Sequence, residues 1–184
     1  LAPNSSEYED LNNYSAVIKL TYGKRSFLFT GDAEDISENE MLTKGYDLKA
    51  DVLKVGHHGS NSSTTEAFLT GVKPSYAVIS VGKGNDYGHP HEEVLMRLHQ
   101  AGIKTFRTDE SGTVVFVTDG DNIEVNTERS GQMATKDITV YVTKTGKKYH
   151  VKECNLLKES KIAITLSEAK AKGYEPCKSC KPPQ

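Results

Sequence analysis

The sequence predicts a layered α/β domain followed by a second, smaller unit of different design. Strand-like and helix-like segments alternate through the first part of the chain, and the charge then changes sign. Up to Thr135 there are 12 lysines and arginines against 20 acidic residues, and from Lys136 onward there are 11 against 5. All three cysteines follow this change. We therefore predict a first domain over residues 1–126, a polar linker over 127–137 and a second module over 138–184.

The first domain begins with a predicted β-hairpin. Residues 14–22 and 26–30 are rich in β-branched and aromatic side chains, and Gly23 stands in the turn between them. Glycines at 45 and 102 are placed to end helices. The remaining predicted elements are helices at 34–44, 64–69 and 92–101 and strands at 51–55, 76–81, 104–107, 113–118 and 122–125. Such alternation of strands and helices predicts the layered α/β class.

Length and composition fit a globular chain with one domain of ordinary size and a small appendage. The chain has 184 residues, of which 36% are hydrophobic. No segment approaches the run of about 20 apolar residues that a membrane-spanning helix needs. The N-terminal residues do not show the pattern of a signal peptide and begin with Leu1 rather than Met. We therefore expect the chain to be a piece of a longer protein.

Three glycine-flanked loops carry the residues with the clearest chemistry. They are Gly31-Asp32-Ala33-Glu34, Gly56-His57-His58-Gly59-Ser60 and Gly88-His89-Pro90-His91, and each follows a predicted strand. Five of the six histidines lie between positions 57 and 99. Carboxylate and imidazole groups are ligands that zinc, manganese and iron accept. Ordinary loop histidines are the alternative, but three such loops in strand-loop-helix context favour a shared metal site.

Each predicted ligand has a structural alternative. Asp32 either bridges two cations or caps the helix that follows it. His57 and His58 are neighbours whose side chains point in different directions, so one is expected to be a ligand and the other to contact a ligand or substrate. Ser60, Asn61, Ser62 and Ser63 are candidates to hold the second ring nitrogen of a ligand histidine, or to cap the next helix. His89 is a third imidazole candidate, and His99 is assigned no role.

The motifs Phe29-Thr30-Gly31-Asp32-Ala33-Glu34, Asp51-Val52-Leu53-Lys54-Val55-Gly56-His57-His58-Gly59-Ser60 and Tyr87-Gly88-His89-Pro90-His91 resemble the metallo-β-lactamase-like domain of ComEC-type competence proteins. The resemblance covers roughly residues 10–126. It implies an αββα sandwich with a two-metal site holding zinc or manganese, and a hydrolase that cleaves DNA phosphodiesters. It also implies a role in DNA uptake or in extracellular nucleic-acid processing, with the protein either extracellular or at the surface of a bacterium. On this resemblance Asp32, His58 and His89 are catalytic, and Asp32, His57, His58 and His89 bind metal.

One departure from that family limits the prediction. The family motif His-x-His-x-Asp-His, which supplies most ligands of the first metal, does not occur in this sequence. We therefore expect the second half of the sandwich only, with the missing N-terminal half as its partner and no activity in the isolated chain. Because the remaining motifs are intact, a truncated copy is favoured over a degenerate relative.

The second module carries one imidazole and three thiols in two short motifs. These are His150 with Cys154, and Cys177 with Cys180, separated by a predicted helix at 167–172. A tetrahedral zinc ion takes four such ligands. The alternative is a disulfide, which would leave one cysteine unpaired and the histidine unused. We predict a small α+β module in which structural zinc supplies much of the folding free energy.

This tail resembles the Ada-like metal-binding modules that are appended to secreted bacterial nucleases. Its eleven lysines either contact nucleic-acid phosphates or are simply solvated. A different function class follows from the second module alone. In that alternative the chain is a non-catalytic zinc-binding module that docks nucleic acid or a cell-surface polymer.

Overall fold

The computed structural model describes residues 1–129, 139–157 and 160–182. The chain divides into two compact units, Leu1–Ala134 and Thr135–Gln184. Both units combine sheets with helices, which confirms the predicted α/β class. Among the described residues, no helix has the length and apolar character that crossing a membrane requires.

The first unit is built on a five-stranded sheet with the strand order β1-β2-β3-β4-β5. The turn between the first two strands contains Gly23 at φ +59°, as the hairpin prediction requires. These two strands pair antiparallel, whereas the following pairs are all parallel. The strands are β1 (Ile18–Tyr22), β2 (Arg25–Phe29), β3 (Val52–Lys54), β4 (Tyr76–Ile79) and β5 (Lys104–Arg107).

Three helices connect the parallel strands and cover one face of the sheet. They are α1 (Asp35–Thr43), α2 (Glu66–Val72) and α3 (Glu92–Gln100), and a single turn, α4 (Thr108–Ser111), follows β5. All three predicted helices form, although α2 continues to Val72. The side chains that fill the space between helices and sheet are Leu28, Met41, Leu53, Phe68, Ala77, Ile79, Val94 and Leu98, all at most 1% exposed.

The opposite face of the sheet is only partly covered. A hairpin of β6 (Val114–Thr118) and β7 (Ile123–Thr127) lies against it through one aromatic side chain. The ring of Phe116 lies 6.5, 5.7 and 5.8 Å, centroid to centroid, from the rings of Phe27, Tyr76 and Phe106.

Apolar side chains at the β1–β2 end of this face remain open to solvent. Ile18, Leu20, Tyr22 and Phe29 are 58, 54, 58 and 44% exposed. Four large apolar side chains on one face of neighbouring strands are unusual for a finished surface. The first unit thus has one helix layer, one five-stranded sheet and the β6–β7 hairpin on the other face of that sheet, and this face is exposed at its β1–β2 end.

The last strand of the first unit ends later than the predicted strand at 122–125. Strand β7 runs to Thr127, one residue into the predicted linker, and the amides of Glu128 and Arg129 still bond to the carbonyls of Thr113 and Ser111. Polar residues fit this strand because alternate side chains of β7 point to solvent. Residues 130–137 of the predicted linker, and residue 138, lie outside the described residues.

The second unit has a four-stranded sheet and one helix. The strand order is β10-β8-β9-β11, and the helix packs on Val140, Val142 and Tyr149. Thr165 and Glu168 cap this helix reciprocally, each side chain accepting from the other residue's amide. The elements are β8 (Thr139–Val142), β9 (Lys148–His150), β10 (Ile162–Thr165), α5 (Leu166–Ala171) and β11 (Glu175–Pro176). The helix occupies the predicted position almost residue for residue.

Candidate metal centres

The three glycine-flanked loops lie together at one edge of the first sheet. They follow β2, β3 and β4, which are parallel neighbours, so their carboxyl ends share that edge. Backbone bonds connect the loops directly. The His57 amide donates to the Gly31 carbonyl at 3.1 Å, and the His91 amide donates to the Gly59 carbonyl at 2.9 Å. The topology therefore brings residues that are far apart in sequence into one neighbourhood.

The histidine loop has an unusual backbone. His57, His58 and Gly59 have φ values of 43°, 54° and 85°, three successive residues in the left-handed region. Side chains with a Cβ disfavour this region, at a free-energy cost of about 1–3 kcal/mol for each residue. Gly59 cannot be replaced easily, because an added Cβ would lie 2.6 Å from the Cβ of Pro90. This conformation directs the two imidazoles apart, with an angle of 67° between their planes.

Asp32 and His58 face each other. Nε2 of His58 lies 3.5 Å from Oδ1 of Asp32, and both side chains are partly open to solvent. Nδ1 of His58 lies 2.7 Å from the carbonyl oxygen of Ser80, so Nδ1 carries the hydrogen and donates it. In the neutral ring, Nε2 then presents a lone pair to the carboxylate. Two facing lone pairs need a proton or a metal cation between them, which is the arrangement that a divalent metal fits.

The alternative role of Asp32 as a helix cap is not used. The N-cap of α1 is Glu34, whose own side chain makes no capping bond. Instead Oδ1 of Asn13 accepts from the amides of Glu34 and Ser37 at 3.3 and 3.2 Å. Asn13 thus satisfies the amides that Asp32 would have capped, and the Asp32 carboxylate stays available at the loop surface.

His57 is oriented by a residue that the sequence analysis missed. Its Nδ1 lies 3.0 Å from Oε1 of Glu34, and Oγ of Ser62 donates to the same oxygen at 2.7 Å. The Glu34 side chain is 12% exposed, so this pair is largely shielded from water. Of the four residues proposed to hold a histidine ring, Ser62 acts through the Glu34 carboxylate, and the Asn61 amide donates directly to Nδ1 of His91 at 3.0 Å. The sequence feature that could have predicted this contact is the acidic residue Glu34 itself, which lies two positions after Asp32 in the same loop.

We predict that Glu34→Gln changes the tautomer of His57. The carboxylate favours hydrogen on Nδ1, whereas an amide can donate as well as accept, so the Nδ1–H form should lose its strong preference. Imidazole nitrogen chemical shifts of ¹⁵N-histidine-labelled protein measure the two tautomers directly. Asp35→Asn, at the start of α1, is the control and should leave the His57 shifts unchanged. Equal shifts in Glu34→Gln and the parent chain would remove Glu34 from this role.

His89 lies beside His57, with the two rings edge to face. Their ring centroids are 5.5 Å apart, and Tyr87 stacks on His89 at 5.8 Å. Burial, and then the neighbouring histidines His91, His57 and His58, lower the pKa of His89. Its backbone amide donates to Oδ1 of Asn85 at 3.0 Å. His89 therefore belongs to the imidazole cluster, and its surroundings disfavour the protonated ring.

A buried carboxylate fixes the segment between the histidine loop and α2. Glu38 is fully buried and accepts from the amides of Thr64 and Thr65 at 2.5 and 2.9 Å. Arg97 reaches the same segment from α3 and donates to the carbonyl of Ser63 at 3.0 Å. Burial raises the pKa of Glu38, although the two amides act in the opposite direction. No sequence pattern predicts these long-range contacts of Glu38 and Arg97 with residues 63–65.

Glu38→Ala should destabilise the first unit. The amides of Thr64 and Thr65 would lose their acceptor inside the protein, at a cost of about 1–3 kcal/mol in the free energy of unfolding. Urea unfolding followed by circular dichroism measures the change. Glu66→Ala, on the exposed side of α2, should alter stability by less than about 0.5 kcal/mol. Equal stability of the two variants would contradict a stabilising role for the Glu38 carboxylate.

The second unit holds a compact set of four ligand atoms. His150, Cys154, Cys177 and Cys180 each offer one atom, and all four lie within 4.8 Å of one another. Nδ1 is the ring atom that faces the cysteines, at 3.2 Å from Sγ of Cys154 and 3.8 Å from Sγ of Cys180. All three cysteines are free. This set could hold a metal, and its soft sulfur and borderline nitrogen atoms match zinc.

The thiols of this cluster are perturbed by their packing. Burial raises the pKa of Cys180 to about 12, and the neighbouring Cys154 and Cys177 add to the rise. For Cys177 burial also acts to raise the pKa, but the amides of Cys180 and Ser179 outweigh it and lower the pKa overall. Cys177 lies with Cys154 and Leu157 in a small core of its own. The cluster is therefore built into the module and is not an accident of surface cysteines.

Comparison with known proteins identifies the first unit. The family described as the Metallo-beta-lactamase superfamily matches residues 5–83. The chain is 43% identical over 116 residues to ComE operon protein 3 of Bacillus subtilis, with 63% of the chain and 15% of that protein covered. It is 42% identical over 117 residues to competence protein ComA of Neisseria gonorrhoeae, covering 63% and 17%. The first unit is a ComEC-type metallo-β-lactamase-like domain.

A third relative is similar over a somewhat greater length. Recombination protein 2 of Haemophilus influenzae is 39% identical over 130 residues, which cover 71% of the chain and 16% of that protein. The chain thus spans 15 to 17% of the length of these relatives. The family match over residues 5–83 lies within the first unit. The resemblance of the second unit to Ada-like modules stays a prediction.

The two candidate centres differ in completeness. Within residues 1–129, 139–157 and 160–182, the set at His150 is the only one with three or more ligand atoms so close together. The metallo-β-lactamase-like domain contributes the facing pair of Asp32 and His58 and a second oriented imidazole, His57. The motif His-x-His-x-Asp-His is absent from its sequence. The residues present fit one edge of a metal site.

Proposed function

We propose that the first unit forms part of a metal-dependent hydrolase that cleaves DNA phosphodiesters, with Asp32, His57, His58 and His89 at its active centre. The observation that carries the proposal is the facing pair of Asp32 and His58, at 3.5 Å. In this proposal Asp32 and His58 bind the metal directly. His57 is the second imidazole ligand or a substrate contact, and His89 lies close enough to contact the substrate.

The residues of the chain prepare this site before any metal arrives. Ser80 fixes the tautomer of His58 so that Nε2 is free, and Glu34 does the same for His57. Preset tautomers raise affinity because no proton has to move between ring nitrogens on binding. Bound zinc or manganese would polarise a phosphoryl oxygen and lower the pKa of a bound water. The Gly31 turn holds the Asp32 carboxylate at the open edge of the sheet, where a substrate can approach.

Two ligand side chains do not complete a two-metal site. We propose that an upstream half, carrying His-x-His-x-Asp-His, supplies the remaining ligands. The open sheet face at Ile18, Leu20, Tyr22 and Phe29 is its proposed docking surface. Full burial of a large apolar side chain gains about 1.5–3 kcal/mol. Because these side chains are about half exposed, covering the face would add roughly half of that gain for each of them.

DNA is the proposed substrate and the likeness to competence proteins supports it. The name of one relative, competence protein ComA, places that protein in competence. For this chain we propose a role in DNA uptake at the bacterial cell surface. The non-catalytic alternative lacks an observation that favours it, because Asp32 and two tautomer-fixed imidazoles are not needed for docking.

We further propose that the second unit is an Ada-like module that binds one structural zinc. The support is the set of four ligand atoms within 4.8 Å. Three thiolates and one imidazole fill a tetrahedral coordination sphere, so no position is left for a water or a substrate. Zinc in this unit would hold the fold and would take no part in hydrolysis.

The proposed hydrolase activity requires a test with the other half present. The open reading frame that encodes the chain should be followed upstream of Leu1, expressed through Gln184 and assayed with Mn²⁺ or Zn²⁺ on linear single- and double-stranded DNA. We expect DNA cleavage that a chelator abolishes, and a His-x-His-x-Asp-His motif in the added segment. Absence of that motif together with no metal-dependent cleavage would refute the proposal.

A further inference from the structure

Lys54 lies at the candidate hydrolase site, beside the loop that carries Asp32. It is the last residue of β3, three positions before His57. Its in-register partner on β2 is Phe29, so both side chains lie on the open face of the sheet, opposite the helices. Nζ of Lys54 reaches back to the carbonyl oxygen of Gly31 at 3.3 Å. The ammonium group therefore stands at the base of the Asp32 loop.

The backbone around Lys54 is fixed from both sides. Its carbonyl oxygen accepts from Oγ1 of Thr30 at 2.8 Å, which joins the ends of β2 and β3. The Gly31 carbonyl oxygen accepts hydrogen bonds from both the Lys54 ammonium and the His57 amide. Lys54 is thus placed by the same contacts that place Asp32 and the histidine loop, and a shift of either loop would move it.

Within the described residues, no ion pair balances the charge of Lys54. Among residues 1–129, the ion pairs of 4.0 Å or less include Lys19, Lys24, Arg25 and Arg107, but not Lys54. Burial lowers the pKa of Lys54, and the Asp32 carboxylate opposes that change only in part. A half-buried cation without a bonded counter-charge is unfavourable unless something else requires it.

We propose that the Lys54 ammonium binds the phosphate group of the substrate beside Asp32 and His58. This inference rests on the hydrolase site proposed above and names a residue that recognises the substrate anion. An ammonium has three donors, and one of them is used by Gly31. The first unit carries a net negative charge, with 12 basic against 20 acidic residues up to Thr135. A phosphate approaching the Asp32 carboxylate therefore needs a local cation, and Lys54 supplies one.

A purely structural role explains the contacts less well. In that case Lys54 would only tie β3 to the Gly31 carbonyl. That oxygen already accepts from the His57 amide at 3.1 Å, so the lysine is not needed to satisfy it. An apolar side chain on this sheet face would avoid the burial of a charge altogether. Substrate recognition accounts both for the charge and for its position.

Binding of inorganic phosphate to the full 184-residue chain tests the proposal without requiring hydrolysis. The titration is followed by ¹H–¹⁵N NMR, through the Gly31 and Asp32 amides and the Lys54 ammonium signal. Lys54→Met keeps the length of the side chain and removes the charge, and it should weaken binding about tenfold or more. Lys54→Arg keeps the charge and should stay within about threefold of the parent chain. Lys44→Met, an exposed lysine after α1, is the matched control and should bind phosphate as the parent does.

The outcomes separate this inference from the hydrolase proposal. Phosphate binding by Lys54→Met that equals the parent would overturn it, as would equal losses in Lys54→Met and Lys44→Met. If Lys54→Met does not fold, the parent chain still decides: a Lys54 ammonium signal that does not move at saturating phosphate contradicts the proposal. Lys54-dependent phosphate binding in a protein that never cleaves DNA would sustain the anion site and reject only the hydrolase.

Discussion

Removal of metal is expected to unfold the second unit while the first unit stays folded. Its main core consists of five buried side chains, Val140, Val142, Tyr149, Leu166 and Ala169, which is too few to hold a segment of this size. Zinc binding at such sites contributes about 10–16 kcal/mol of apparent free energy at neutral pH, so it dominates the folding of small modules. The purified chain should contain one zinc per molecule. After addition of a strong chelator, the amide signals of residues 139–182 should lose their chemical-shift dispersion in ¹H–¹⁵N NMR spectra.

Substitutions in the cluster should reproduce the effect of the chelator. Cys154→Ser and Cys177→Ser remove one thiolate each and are expected to lower zinc content and to unfold the same segment. Ser179→Ala, an exposed position between two of the ligands, is the control and should retain zinc. A folded, metal-free second unit with a disulfide between two of its cysteines would show that the zinc assignment is wrong.

Asp32→Asn is expected to abolish metal-dependent DNA cleavage in the protein that carries the upstream half. The amide keeps the size of the side chain but removes the negative charge that faces His58. Without this metal ligand the transition state loses several kcal/mol of stabilisation. The rate of DNA cleavage should therefore fall by at least ~10²-fold. Initial rates on a linear DNA substrate with saturating Mn²⁺, at equal protein concentration, measure the effect.

The control for this substitution lies three residues away. Asp35 is exposed at the start of α1, where its carboxylate accepts from the neighbouring Ile36 amide. Asp35→Asn should therefore retain activity within a few-fold of the parent protein. Thermal unfolding of both variants should match the parent, which separates lost chemistry from lost fold. Cleavage by Asp32→Asn at the parent rate would exclude Asp32 from the catalytic centre.

Local sequence was enough to predict the elements that carry the first site. Glycines at the turns and β-rich runs before Asp32 and His57 predicted strand ends, and the structure has β2 and β3 ending there. Parallel neighbours then bring the following loops to one edge, so the proximity of Asp32 and His58 follows from topology. The four-residue set in the second unit was likewise visible as two spaced motifs.

Long-range polar contacts could not be predicted in this way. Glu34 meets His57 and Glu38 meets Thr64 across more than twenty positions, and neither contact leaves a periodic signal in the sequence. The roles of Asn13 and Ser80 were missed for the same reason, since a side chain or carbonyl is selected by the folded backbone. Strand β7 ran past its predicted end because backbone pairing with β6 tolerates polar, outward-facing residues.

Anomalous diffraction from crystals of the upstream-extended protein soaked with Zn²⁺ would test the central proposal most directly. We predict a zinc peak within about 2.0–2.2 Å of a carboxylate oxygen of Asp32 and of Nε2 of His58. A second zinc should appear at the His150 and cysteine cluster, which serves as an internal control for occupancy. Zinc at the cysteine cluster with no peak beside Asp32 and His58 would contradict the proposed hydrolase site.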